Sequence, residues 1–182
     1  MNNDILTVEE LKPATVPMIV KYWLESDAKY LMSLGVDLKK LPSGEKLTGM
    51  LMQQLELPAD LKKSYCIIWL LNDKPVGHSN LNPVTFGEEA FMHLHLWNSD
   101  ERNKGLGIAF LKLTIPIFFS AMQIKKLYCE PYALNDAPNK ILNKFGFNFV
   151  KEYITTPGSL NFEQSVKRWE LSADDFKFLN NT

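Results

Sequence analysis

The stretch Glu101-Arg102-Asn103-Lys104-Gly105-Leu106-Gly107 constrains this chain more than any other. It separates an apolar, strand-like run at 91–97 from a long apolar, helix-like run at 108–122. Glycine has no Cβ and adopts positive φ readily, so two glycines between a strand and a helix let the backbone N–H groups turn toward a ligand. A helix N-terminus carries partial positive charge and unpaired N–H donors, which suits a phosphate. Arg102 and Lys104 add two full charges at the same place. The dinucleotide pattern G-x-G-x-x-G needs a third glycine where Phe110 stands, and the Gly-Lys-Ser/Thr ending of the Walker loop is missing.

Composition narrows the partners. The chain has 182 residues, enough for one domain with its own core. Its net charge of −1 argues against non-specific nucleic-acid binding. The charge is uneven: residues 101–151 hold eight lysines and arginines against three acids, a net +5 that leaves −6 for the remainder. A basic segment around a phosphate loop is what an anionic cofactor needs. Cys66 and Cys129 both lie in apolar runs and read as buried thiols of a reducing compartment. The N-terminus shows no signal-peptide pattern and no apolar run is long enough to span a bilayer, so the expectation is a cytoplasmic protein without membrane contact.

Taken in order, residues 4–7 read as a short strand, and 15–24, 27–34 and 43–57 as helices that cover a sheet. Residues 65–71 form a strand buried on both faces. The turn at 72–75 leads into a strand at 76–81 that ends at Pro83, and a third strand follows at 90–97. In that third strand Met92, Leu94 and Leu96 share one face, and His93, His95 and Trp97 the other. The helix at 105–122 contains Pro116, expected to kink it or remove a backbone bond. A strand at 127–130 then lies parallel to 91–97 through a right-handed crossover. A helix at 135–145 closed by Gly146, strands at 147–155 and 165–171, and a terminal turn at 174–179 complete the chain.

The pattern Arg102-x-x-Gly105-x-Gly107 resembles the pyrophosphate loop of the GNAT superfamily of acyl-CoA-dependent acetyltransferases. Asn135 together with Lys144-Phe145-Gly146-Phe147 resembles the family's second signature, and is most similar to the ribosomal-protein-alanine N-acetyltransferase type with its N-x-x-S … K-x-G-F pattern. The resemblance covers roughly residues 65–171 and implies an α/β (α+β) fold. Its sheet is mixed and mostly antiparallel, with a splayed parallel strand pair and helices on both faces, in one acetyltransferase-like domain spanning 1–182. It implies acetyl-CoA as cosubstrate, no metal, and an amine acceptor, either a small molecule or a protein. The backbone of Leu96, Trp97 and Asn98 would face the cofactor. Arg102 and the amides of Asn103, Lys104, Gly105, Leu106, Gly107 and Ile108 would hold the pyrophosphate, and Asn135 would bond the pantetheine arm.

The implied chemistry is direct attack of an amine on a thioester. An alkylammonium of pKa near ~10.4 is almost wholly protonated at neutral pH, so a general base contributes roughly 10²–10⁴-fold. In many members a polar group on the strand before the loop serves. Here that strand offers His95, with His93 as the alternative or as its orienting partner, and Glu88 and Glu89 in the preceding turn. Three other readings stay open. His-x-His can be a metal pair, although no third ligand stands at a convincing spacing; the histidines can be core residues with satisfied hydrogen bonds; and His78 reads as structural. Asn143 and Pro138 stand where the family's Tyr or Ser would protonate the departing thiolate, which leaves Tyr132 or solvent. The loop at 155–164 is expected to border the acceptor. The alternatives to an N-acetyltransferase are a weakly catalytic acyl-CoA-binding module, or an acyltransferase with another donor or a hydroxyl or hydroxylamine acceptor. Monomer and homodimer are both compatible with the sequence.

Overall fold

The computed structural model describes residues 4–102 and 104–180. Among these residues seven strands form one sheet in the order β1-β2-β3-β4-β5-β7-β6. They are β1 (Leu6–Glu10), β2 (Tyr65–Leu71), β3 (Lys74–Thr85), β4 (Glu89–Leu96), β5 (Lys126–Cys129), β6 (Asn148–Thr155) and β7 (Gln164–Ser172). Only β4 and β5 run parallel; every other neighbouring pair is antiparallel. The helices are α1 (Val16–Glu25), α2 (Ala28–Ser33), α3 (Gly44–Glu56), α4 (Leu106–Met122), α5 (Asp136–Phe145) and α6 (Ala173–Asn180).

The apolar run in β2 explains its place inside the sheet. Ile67, Ile68 and Trp69 are fully buried because their side chains feed two different cores. On one face Trp69 stacks on Phe110 of α4, with ring centroids 5.0 Å apart, and its indole N–H donates to Thr114 Oγ1 at 2.9 Å. Leu142 of α5 belongs to the same core. On the other face Ile68 packs with Leu11, Val16 and Ile19, and with Leu51, Met52 and Leu55 of α3. Helices therefore cover both faces. The β2–β3 hairpin turns on Asn72 and Asp73, both at positive φ, as a two-residue turn with the right-handed twist of its strands requires.

Two strands differ from the sequence reading by more than one residue at an end. The first strand is Leu6–Glu10 rather than 4–7, placed by its pairing with Ile67 to Leu71. β3 continues through Pro83 to Thr85, because the register shifts between Leu81 and Val84 and the bulge accepts a residue without an N–H. Pro116 lies inside an uninterrupted α4. β6 is the outer edge of the sheet and leaves Phe149, Val150 and Ile154 exposed.

One glycine fixes the approach of β3 to β4. A Cβ on Gly77 would lie 2.4 Å from the His95 carbonyl oxygen and 3.1 Å from Trp69 Cε3. The first neighbour is backbone and has no rotamer to yield. Gly77→Ala is therefore expected to destabilise the protein by about 1–3 kcal/mol, the usual range for overpacking. Urea denaturation would measure it, and an unchanged midpoint would show that the two strands can separate freely here.

Candidate functional site

The site begins where β4 and β5 stop pairing. Their register runs Glu89 with Lys126, Ala90 with Leu127 and Phe91 with Tyr128, and the described residues pair no further. The strands then diverge: β4 remains bonded to β3 as far as Leu96, and β5 turns to β7. Met92, Leu94 and Leu96 face the α4 core, so His93 and His95 face α1 and α2. Extending the parallel register by two residues places Glu130 opposite His93, across the split and on the same face.

At the top of the split stands the N-terminus of α4. Gly105 is its N-cap at φ +77°, a backbone that an L side chain rarely adopts, and it brings no side-chain cap. The first helical bond is Ala109 N–H to the Gly105 carbonyl at 3.3 Å, so the amides of Leu106, Gly107 and Ile108 lie in the uncapped first turn. Gly107 lies in the first turn of α4, and a Cβ there would meet only the end of the Ile141 side chain of α5, at 2.9 Å. Lys104 reaches Glu101 at 3.5 Å. Asn103 lies outside the described residues. The uncapped turn, the basic residues and the unpaired strand edges together fit an extended ligand ending in a diphosphate.

The remaining predicted residues divide. Leu96 lies on the lip of the split, and its carbonyl accepts from Arg102 Nε and Nη2 at 3.3 and 3.1 Å. Trp97 N–H bonds the Val76 carbonyl and so faces β3; its indole N–H donates to His78 Nδ1 at 2.8 Å. Asn98 is exposed and caps a short 3₁₀ turn at Ser99–Glu101. Asn135 is the half-buried N-cap of α5, with no side-chain capping bond. The Arg102 side chain turns back over β4 rather than toward the α4 amides.

The histidines differ in their surroundings. His93 is half-buried, and its Nε2 donates to the Asn82 carbonyl at 2.9 Å, which fixes the tautomer and leaves Nδ1 with the lone pair. Burial holds its pKa below the usual value, opposed by the Asn82 carbonyl and the Glu130 carboxylate. His95 is bonded through Nδ1 to Tyr22 Oη at 3.0 Å and stacks on His78 at 4.8 Å. Burial and then the neighbours His78, His93 and Arg102 push its pKa well below the ordinary value. His78 is fully enclosed, and burial followed by His93 lowers it to about 3. The thiols take no comparable position: burial pushes Cys66 up, and pushes Cys129 up to about 12.

Sequence reasoning missed three groups. Glu130, whose side chain is only 7% exposed, accepts from Tyr153 Oη and Arg168 Nε, and Arg168 Nη2 donates to Tyr153 Oη at 2.8 Å. An acidic residue at the end of an apolar strand was the available signal. Tyr22 and Tyr30, with hydroxyls 3.1 Å apart, wall the histidine face from α1 and α2. Asn139 receives the Trp169 indole N–H at 2.9 Å and donates to the Tyr132 and Asn135 carbonyls, which anchors α5. The loop between β6 and β7 clasps the turn after α2. The Gly35 carbonyl accepts from Phe162 N, Asn161 Nδ2 and Gln164 Nε2, at 3.3, 2.9 and 3.2 Å. No group of three or more potential metal ligands occurs among the described residues, and no helix among them is long and apolar enough to cross a membrane.

A split sheet beside an uncapped helix N-terminus offers backbone groups suited to an extended, anionic ligand. The family of the acetyltransferase (GNAT) domain matches residues 6–148, and this chain belongs to that family of acetyltransferases. No curated protein matches the sequence. Among solved structures the chain is similar to RimL, a ribosomal L7/L12 alpha-N-protein acetyltransferase in complex with coenzyme A. The two are 14% identical over 93% of this chain and 95% of that one, with a TM-score of 0.75. It is also similar to spermidine N-acetyltransferase from Vibrio cholerae in complex with CoA and spermine (14% identity, 94% and 98% covered, TM-score 0.76). A third similar structure is aminoglycoside acetyltransferase AAC(6')-Ib with coenzyme A and kanamycin (15% identity, 96% and 98% covered, TM-score 0.72).

Proposed function

We propose that this chain, acting as one domain, moves an acetyl group from acetyl-CoA to a primary amine by direct attack. The observation that carries the reading is the split between β4 and β5, with the α4 amides at its top and His93 and Glu130 on its two lips. Acetyl-CoA supplies the activated acyl group. The amides from Lys104 to Ile108 hold its pyrophosphate, the lip at Leu96 faces its arm, and the Asn135 side chain bonds the arm from α5.

His93 takes the proton of the attacking amine on Nδ1. The Asn82 carbonyl and the Glu130 carboxylate stabilise the resulting imidazolium. His95 is the second candidate; its ring is more tightly enclosed, between Tyr22, Trp23 and His78. The amine enters on the face framed by α2, the 155–164 loop, Tyr153 and Arg168. Asn143 is exposed and Pro138 carries no hydroxyl, so the thiolate takes its proton from Tyr132 or from water.

Calorimetry with acetyl-CoA, followed by thioester turnover against a panel of amines, tests the reading. Binding with turnover is the expected result. Binding without turnover on any amine would support the alternative of a CoA-binding module, and no binding at millimolar acetyl-CoA would overturn the donor site itself.

A further inference from the structure

Arg102 and Tyr30 meet at the open end of β4. The guanidinium carbon lies 3.8 Å from the centroid of the Tyr30 ring. The same group donates to the Leu96 carbonyl at 3.1 and 3.3 Å and to the Trp97 carbonyl at 3.2 Å. Trp97 N–H faces β3, so by strand alternation the Leu96 carbonyl faces the split. Arg102 thus covers the lip of the split with its fork and is backed by an aromatic face. Tyr30 belongs to α2, and its hydroxyl connects through Tyr22 to His95. A cation of the glycine loop is held on the acceptor side of the sheet by a residue from a distant part of the chain.

We infer that Tyr30 is a positioning residue for the donor. It holds Arg102 across the lip of the split, and arrival of the donor moves the guanidinium from the Leu96 and Trp97 carbonyls to the donor's diphosphate. The inference rests on the proposed donor reading. A guanidinium forms stronger, bidentate bonds with phosphate oxygens than with neutral carbonyls, so the exchange is favourable once an anion occupies the α4 N-terminus. Until then the contact with Tyr30 competes, and the apparent affinity is reduced by the fraction of molecules in which Arg102 is released. The same movement uncovers the Tyr30 ring, so the wall of the acceptor side responds to the donor.

Calorimetry of acetyl-CoA binding to the wild type, Tyr30→Leu and Tyr30→Phe tests this. Leucine fills the space without an aromatic face, so Tyr30→Leu is expected to bind acetyl-CoA about 3- to 10-fold more tightly. Tyr30→Phe keeps the ring and should bind as the wild type does. A merely structural role would weaken binding in the leucine variant. As an independent measurement on the wild type, the Arg102 side-chain protons should lose their ring-current shift when acetyl-CoA is added. Unchanged or weaker binding by Tyr30→Leu, a phenylalanine variant that behaves like leucine, or a ring-current shift that persists in the complex would each overturn the inference. Failure of the wild type to bind acetyl-CoA would instead overturn the donor reading on which it stands.

Discussion

His93→Ala is expected to slow thioester turnover roughly 10²-fold or more while leaving acetyl-CoA affinity near that of the wild type. The affinity is spared because His93 projects onto the α1 and α2 face, away from the α4 amides at the top of the split. Turnover falls because the amine must lose a proton at the point where β4 and β5 diverge, and His93 stands at that point with a fixed tautomer. Burial keeps its pKa below the usual histidine value, so the base is lost only on the acid side of an ordinary imidazole's titration. The acid limb of the rate profile should therefore lie below that of a free imidazole, and it should vanish in His93→Ala. His95→Ala provides the comparison. Should both variants keep full activity across the neutral and mildly alkaline range, neither histidine is the base.

Acid should destabilise this protein well before its carboxylates titrate. His78 has its pKa lowered to about 3 by burial and then by His93, and burial lowers His93 and His95 as well. A histidine with a depressed folded-state pKa contributes stability above its unfolded value of about 6.5 and loses it as pH falls toward the folded value. At pH 5 the loss from His78 alone is about 2 kcal/mol, because the unfolded chain takes up a proton that the folded protein refuses. His93 and His95 add to it in the same direction. Urea midpoints compared at neutral pH and near pH 5 would measure the sum. Equal midpoints would mean that the three rings accept protons without cost to the fold.

Much of the fold was legible because period and punctuation agree. The run Ile67-Ile68-Trp69 announced a doubly covered strand, and the alternation of Met92, Leu94 and Leu96 with the histidines announced the two faces of β4, of which the apolar one packs in the α4 core. Pro83 misled, since a bulge removes the need for its N–H, and a bulge depends on the neighbouring strand rather than on local sequence. The glycine loop was legible as a motif but not in its division of labour. Gly105 is required by its backbone conformation, whereas a Cβ at Gly107 would meet only the movable end of Ile141 on another helix. The reach of Arg102 back to β4 was hidden in the same way, because Tyr30 is remote in sequence. Glu130 was invisible as a site residue because its significance comes from facing His93 across two strands that have stopped pairing.

The hydrogen bond from the Trp97 indole to His78 Nδ1 has an optical consequence. A proton arriving on that nitrogen would occupy the lone pair the indole N–H depends on, and the bond must break. An indole that loses its acceptor beside a new cation changes both the colour and the intensity of its emission. Trp97 also sits at the lip where the Arg102 guanidinium rests on its carbonyl. The chain thus carries a fluorophore at the junction of its histidine face and its split, able to report without any label both the charging of the buried rings and any movement of the guanidinium beside it.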